Sequence, residues 1–486
     1  MERRKTLRKA LVCLLVVFFG TGSWVAINGI WVELPLLVSL GIPEGYGLAS
    51  YIIIITQFAN LGPLLFTLAN FLTSKDVKLE VPTVYLITTV GWITCLLMVF
   101  FWDSYTFWAG ETHSTAFLIL CLSLAVVDCT SSVAFTPFMA RFKSVYLTWY
   151  FVGEGMSSLL PGVVALIQGV GGDGVCIANY TYEYELGGKT YQCTDWIAQN
   201  KPARFGPEEF FLFLFGMMVL SFTGFLLLNV LPVVKKEHAH DSPSQSSVDT
   251  VSSKESNESH NMLVTSTKSE VSLPETAEPA VDLSSPQQIQ GRPLRDFVYL
   301  FTVLGVVNAL SNGILPSIQS YSAGAYSLTT YLYAATLGNI SNPIACFAVM
   351  LWPFESLIIV GIAAGGGILA GIYGLWTAAN SLEPPLEDQT IGSVLVVFAW
   401  ICVVAFFSYT KATIGWILRQ EPNKRTLLIW FGAVTQIGSL TGALIMFPIV
   451  TFTSAFVAPY HDPCEGKLNC TEMVTMVVDG IEYLTT

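Results

Sequence analysis

Eleven stretches of this chain are apolar for about twenty residues or more, and nothing else limits its fold so tightly. In a bilayer core every backbone N–H and C=O must be paired within the chain, so a span of that length forms a helix. The stretches lie near 11–37, 47–72, 82–102, 114–139, 147–170, 208–232, 297–320, 327–351, 355–379, 390–412 and 427–451. The expected fold is an all-α polytopic membrane protein with eleven transmembrane helices. Only 12% of the 486 residues are charged and 53% are hydrophobic, against ~25% charged in a typical soluble domain. The net charge of −12 comes largely from acids in two hydrophilic loops and the C-terminal tail. It leaves no basic footprint for a nucleic acid.

Charge orients the spans. Met1–Ala10 carries Arg3, Arg4, Lys5, Arg8 and Lys9, and the apolar run behind it continues to about Leu40. A signal-peptide core is only ~7–15 residues long. The run therefore reads as an uncleaved first span with the N-terminus in the cytosol. With eleven spans the C-terminus is then extracellular. Of the 23 Lys and Arg residues only Lys189, Lys201, Arg204 and Lys467 fall on the outer side, as the positive-inside rule requires. The glycosylation sequons at Asn179 and Asn469 also fall outside. Those at Asn257, in a cytosolic loop, and Asn339, in a span, are expected to stay unmodified. Of ten cysteines, Cys176, Cys193, Cys464 and Cys470 are in outer segments, where disulfides persist. Cys176–Cys193 with Cys464–Cys470 is the simplest of three pairings.

Residues 233–296 change character. Between about 235 and 293 the chain is rich in Ser, Glu, Pro and Gln and nearly lacks aromatics, the composition of a disordered cytosolic linker. It divides an N-terminal six-helix bundle (1–232, with an outer loop at 171–207) from a C-terminal five-helix bundle (297–451) and a tail (452–486). The halves echo one another. Asn28-Gly-Ile30 in the first span matches Asn312-Gly-Ile314 in the seventh, each followed by Leu-Pro, and Asn60-Leu-Gly-Pro63 parallels Asn339-Ile-Ser-Asn-Pro343. Repeats in the same order suit two facing bundles with a solute site near the midplane. The mirrored Gly and Pro positions are the expected flexure points. This is a major-facilitator-like or equilibrative-nucleoside-transporter-like plan with the last helix missing.

Polar side chains inside spans mark the site. Trp24, Asn28 and Trp31 share one helical face, as do Asn308, Asn312 and Gln319. Gln57 and Asn60 lie together in the second span. An aromatic–amide stripe suits a flat, hydrogen-bonding solute. Small and amide residues also join helices. That structural reading is favoured for Asn60, Asn339 and Asn342, which sit near prolines whose freed carbonyls need partners. A solute role is favoured for Asn28, Gln57, Asn308 and Asn312. Glu33 is either an interfacial anchor or a site residue. Asp128 and Glu154 lie deeper and are candidate proton or pH sites, with hydroxyl-held buried acids as the alternative. Lys411 is placed near the cytosolic end of its helix, where it snorkels. No metal-ligand spacing, phosphate loop or nucleophile elbow is present. No enzyme activity, cofactor or metal is expected.

Trp24–Pro35, Val127–Met139, Phe151–Gly155, Asn308–Gln319, Gln436–Ala443 and Met446–Pro448 resemble the vertebrate riboflavin transporters, solute carrier family 52, most closely the epithelial uptake member. The resemblance implies sodium-independent riboflavin uptake across the plasma membrane, favoured by acid in some members. The chemistry agrees. Isoalloxazine is flat, with a uracil-like edge that amides pair and aromatic faces stack upon. Trp24, Asn28, Glu33, Gln57, Asn308, Asn312 and Gln319 are the expected substrate residues. The rivals are a nucleoside or nucleobase facilitator and a non-transporting membrane receptor.

Overall fold

A computed structural model describes residues 2–73, 79–108, 110–170, 172–186, 189–238, 292–352, 354–386 and 389–459. Ten helices in it are long and apolar enough to cross a bilayer, and a bent pair brings the count to eleven. The pair is the first span, α1 (Glu2–Thr21) and α2 (Val25–Ser39), bent by 53°. The second span is α3 (Leu48–Ala59) continued by α4 (Leu61–Leu72). Then come α5 (Glu80–Phe101), α6 (Thr115–Met139), α7 (Ser144–Gln168), α8 (Pro207–Val230) and the short α9 (Pro232–Lys235). Beyond the linker, α10 (Leu294–Ala309) runs through a π-helical turn (Leu310–Ile314) into α11 (Leu315–Gly324). The last spans are α12 (Leu328–Leu351), α13 (Leu357–Ala379), α14 (Thr390–Gln420) and α15 (Lys424–Phe452).

The helices pack in two sets. In the first, α1 lies against α7 and α8, and α5 against α6 and α8. In the second, α14 lies against α12 and α13, and α10 against α15. The sets meet where α3 packs on α11 and α15, α2 on α12, and α7 on α12. The seventh and eleventh spans touch backbone to backbone. A Cβ on Gly313 would come within 2.5 Å of the Gly442 carbonyl carbon, and one on Gly442 would collide with the Ala309 oxygen. Only glycine permits that approach.

Several expectations change. Two small antiparallel hairpins lie outside the spans: β1 (Thr106–Trp108) with β2 (Glu111–His113), and β3 (Gly172–Leu186) with β4 (Lys189–Lys201). The β3–β4 register sets Cys176 opposite Ala198 and Cys193 opposite Tyr182. These positions are about 16 Å apart along the strands at ~3.3 Å per residue, whereas bridged Cα atoms lie within ~7 Å. The register thus argues against Cys176–Cys193. Asn179 is in β3; Asn257, Cys464, Cys470 and Asn469 lie outside the described residues. The flexure points also differ. The first span breaks at Gly22–Trp24 rather than at Asn28-Gly29 or Pro35, both inside α2, whereas the seventh is distorted at Asn312-Gly313 itself. Most of the expected linker, 239–291, lies outside the described residues, but both its edges are structured.

At the first edge Glu237 is fully buried. It takes Arg8 at 2.6 Å, Lys143 at 2.9 Å and the Tyr146 hydroxyl at 3.0 Å, tying α1, the α6–α7 turn and the end of α9 together. At the other edge Arg292 pairs with Glu421 at 3.1 Å. Burial raises the Glu237 pKa, but the hydrogen bonds from Lys143 and Tyr146 and the Lys143 charge outweigh it and hold the carboxyl below its ordinary value. A depressed pKa stabilises the fold above the ordinary carboxylate range, and the gain is lost as pH falls through the lowered value. Glu237→Gln is therefore expected to cost about 2 kcal/mol at neutral pH, less than a fully buried pair because Arg8 and Lys143 can turn to water. Thermal unfolding in detergent should show the variant and parent converging at strongly acidic pH.

Candidate functional site

The broken first span organises the site. Its break leaves the first N–H groups of α2 without carbonyl partners, and Trp24 in the cap position offers no side-chain acceptor. The fourth span supplies one. Asp128, fully buried, accepts the Ile27 N–H through Oδ2 at 2.9 Å. It performs from a neighbouring helix what an Asp N-cap does in sequence. The Ser131 hydroxyl donates to the Ser23 carbonyl at 2.8 Å, and the Trp24 indole N–H donates to Ser132 at 3.2 Å. The bend is thus sewn to α6, and α2 turns its Trp24–Asn28–Trp31 face inward.

That face borders a cavity of about 380 Å³ between the two sets of helices, within the ~300–1,000 Å³ usual for small-molecule sites. Trp24, Asn28, Gln57, Asn312 and Gln319 all line it. Glu33 and Asn308 do not. Glu33 is two residues past Trp31, ~200° around the helix, and so points behind the lining face. It is fully buried and accepts the Gln168 amide at 2.9 Å. The same amide reaches the Phe205 and Gly206 carbonyls, so Glu33 joins the first span to the junction of the fifth and sixth. Asn308 is also fully buried.

Hydrogen bonding divides the amides. Asn312 donates to Asn308 Oδ1 at 3.1 Å and to Ser439 Oγ at 3.0 Å, and accepts the Ser311 hydroxyl at 3.1 Å. Asn308 in turn donates to the Leu304 carbonyl at 2.8 Å. Both amide hydrogens of Asn312 are used, so it fixes the π-turn of the seventh span and presents only its remaining acceptor capacity. Such turns often mark functional sites. The side chains of Asn28, Gln57 and Gln319 make no hydrogen bond among the described residues, and the carboxamide oxygen of Gln57 is buried without a partner. An unpaired amide facing a cavity is a group that a polar solute satisfies.

Further residues beyond the expected substrate set line the cavity. Asn60, Asn339 and Asn342, expected in helix packing, face the cavity, as do Gln436 and Trp400. Trp400 is held by its indole N–H on Ser322 Oγ at 3.1 Å, and Ser322 bonds Thr377 at 2.6 Å. Lys411 also lines the cavity. It is not at its helix end, because α14 continues to Gln420, ~13 Å further at ~1.5 Å per residue. Trp400, Phe407 and Lys411 share one helical face, and all three fall within the span expected from the sequence. Glu154, next to Gly155 at the α7–α12 contact, does not line the cavity.

At the end of the bundle that bears the hairpins the cavity is closed. The Tyr46 and Tyr321 rings lie 5.9 Å apart, Tyr51 meets Phe447 edge-on at 5.3 Å, and Ser320 donates to the Tyr46 carbonyl at 2.6 Å. Each contact crosses from one helix set to the other. Towards the linker end α4 packs chiefly on α6.

A family model described as "Solute carrier family 52, riboflavin transporter" matches residues 8–458. The chain belongs to this family. It is 41% identical over 454 residues to solute carrier family 52, riboflavin transporter, member 3-B of Danio rerio, covering 93% of this chain and 98% of the relative. It is 37% identical to member 3 of Homo sapiens, with coverage of 93% and 99%. Among solved structures, a D-xylose–proton symporter matches with a TM-score of 0.50 at 11% identity, covering 91% of this chain and 88% of that one. The POT family transporter PepTSo matches at 0.50 and 11%, covering 97% and 93%. Those two likenesses concern the fold, which is that of a two-bundle transporter. A family-52 chain is a multi-pass membrane transporter, and the two-bundle plan read from the sequence agrees with the helix packing.

The Asp128 cap has a measurable consequence. Asp128→Asn keeps an acceptor for Ile27 and is expected to fold with near-parental stability. Asp128→Leu strands a buried N–H and is expected to cost about 1–3 kcal/mol. Thermal stability in detergent and surface abundance should separate the two variants.

Proposed function

We propose that this protein carries riboflavin into cells across the plasma membrane by alternating access, without sodium. The observation that carries the reading is the cavity itself, in which unpaired amides alternate with aromatic faces. Asn28, Gln57 and Gln319 supply donors and acceptors for a uracil-like edge and for ribityl hydroxyls. Trp24 and Trp31 supply stacking surfaces. The names of the relatives support the same solute. The positive-inside distribution supports a cytosolic N-terminus and an extracellular hairpin end, so the Tyr46–Tyr321 closure faces outward and the cavity is poised to release solute inward. Rocking of one helix set on the other then alternates access.

Of the two acids read as pH sites, Asp128 spends one carboxyl oxygen in capping α2, while the other is buried without a partner. The Glu154 side chain makes no hydrogen bond among the described residues, and we assign the pH response of uptake to it. Glu154→Gln is expected to flatten the dependence of uptake on external pH between mildly acidic and neutral medium. Asp128→Asn is expected to leave that profile in place.

Radiolabelled riboflavin uptake at matched surface levels tests the main reading. Asn28→Ala and Gln57→Ala each remove one or two neutral hydrogen bonds worth ~0.5–1.5 kcal/mol, so the half-saturation concentration should rise ~3–10-fold. Asn312→Ala unpairs the π-turn and should lower the maximal rate as well. Flavin analogues should compete and uridine should not. Competition by uridine with no response to flavins would instead mark a nucleoside facilitator.

A further inference from the structure

Lys411 is the one Lys, Arg, Asp or Glu side chain among the described residues lining the cavity. Among the described residues no ion pair to it is formed. Its Nζ donates to Ser311 Oγ at 3.3 Å. The Ser311 hydroxyl donates its own hydrogen bond to Asn312 Oδ1, and Asn312 donates onward to Asn308. The relay therefore points away from the ammonium, and Lys411, with three donors, keeps two for the cavity. An ammonium within a span costs several kcal/mol unless it meets a partner. A cavity wall that also carries unpaired amide acceptors lowers that cost only in part.

The helix that carries Lys411 supplies the rest of the argument. Trp400, Phe407 and Lys411 occupy one face of α14, and all three line the cavity. Phe407 and Lys411 are separated by ~6 Å along the helix axis. Trp400 and Phe407 are packed into that wall with almost no free surface, and a planar heteroaromatic ring system held beside them would present an edge to the ammonium. Its most electron-rich in-plane acceptors would then meet a cation, and charge-assisted hydrogen bonds are roughly twice as strong as neutral ones.

We propose that Lys411 is a substrate-recognition residue whose ammonium donates to the carbonyl-bearing pyrimidine edge of the flavin ring, with Ser311 and Asn312 positioning it. This rests on riboflavin being the solute. The competing role is an inter-bundle charge pair with Glu154, which, formed on closure, would act on turnover rather than on recognition.

The test is uptake kinetics of the full chain in cells at matched surface levels, for the parent, Lys411→Gln, Lys411→Arg and Glu154→Gln. Riboflavin is compared with its 2,4-dithio analogue, in which both ring carbonyl oxygens become poorly accepting sulfurs. If Lys411 reads that edge, Lys411→Gln raises the half-saturation concentration for riboflavin about tenfold with little change in maximal rate. The parent prefers riboflavin to the dithio analogue about tenfold, Lys411→Gln loses that preference, and Lys411→Arg keeps most of it. An unchanged preference in Lys411→Gln overturns the proposal. So does a fall in maximal rate alone that Glu154→Gln reproduces, which assigns Lys411 to the charge pair. Should Lys411→Gln fail to reach the surface, the preference of Lys411→Arg and ligand-induced thermal shifts of purified Lys411→Gln decide between the same two results. Absence of riboflavin uptake by the well-expressed parent is a different failure, that of the substrate assignment.

Discussion

The break in the first span is the constraint on which the site depends. A bent helix in a membrane exposes backbone groups that water cannot reach, and each must be paired by protein. Asp128 and Ser131 do this from the fourth span, one at the start of α2 and the other at the Ser23 carbonyl. Because the same contact sets the direction of α2, it also sets where Trp24, Asn28 and Trp31 point. An acid that looks expensive in a span here accepts an N–H at the start of a helix.

The seventh span solves a related problem differently. Its π-turn is held by a chain of side-chain amides and hydroxyls, from Ser311 through Asn312 to Asn308 and Ser439. The two mirrored asparagine motifs have thus diverged in role. Asn28 faces the cavity with its amide unspent, while Asn312 is largely consumed in keeping the helix open. The cavity wall is thus left with amides that have spare hydrogen-bonding capacity, Asn28, Gln57 and Gln319, while Trp400 is fixed on Ser322.

Much of this is legible from residue order. Period-3.6 spacing places Trp24 and Asn28 on one face and Asn312 with Gln319 on another, and all four line the cavity. Spacing also puts Glu33 half a turn beyond Trp31, but whether that opposite face meets lipid, headgroup or protein depends on Gln168, which is 135 positions away. Asn339 and Asn342 mislead a sequence reading because proximity to Pro343 suggests a local partner, while in the fold they face inward. The β3–β4 hairpin has a sequence signal that a span-based reading passes over, Gly187-Gly188 between tyrosine-rich alternating runs.

By itself, the sequence determined the properties set by solvent and period: the helical spans and the faces that carry polar groups. Hydrophobic length and helical pitch are local properties of the chain, so residue order suffices for them. Tertiary structure decided which of those polar groups are spent and which are free. It put Asp128 under Ile27, buried Asn308, brought Lys411 into the cavity and closed Tyr46 on Tyr321. A hydrogen bond is satisfied by whichever group lies within ~3 Å, and for these residues that group comes from another helix.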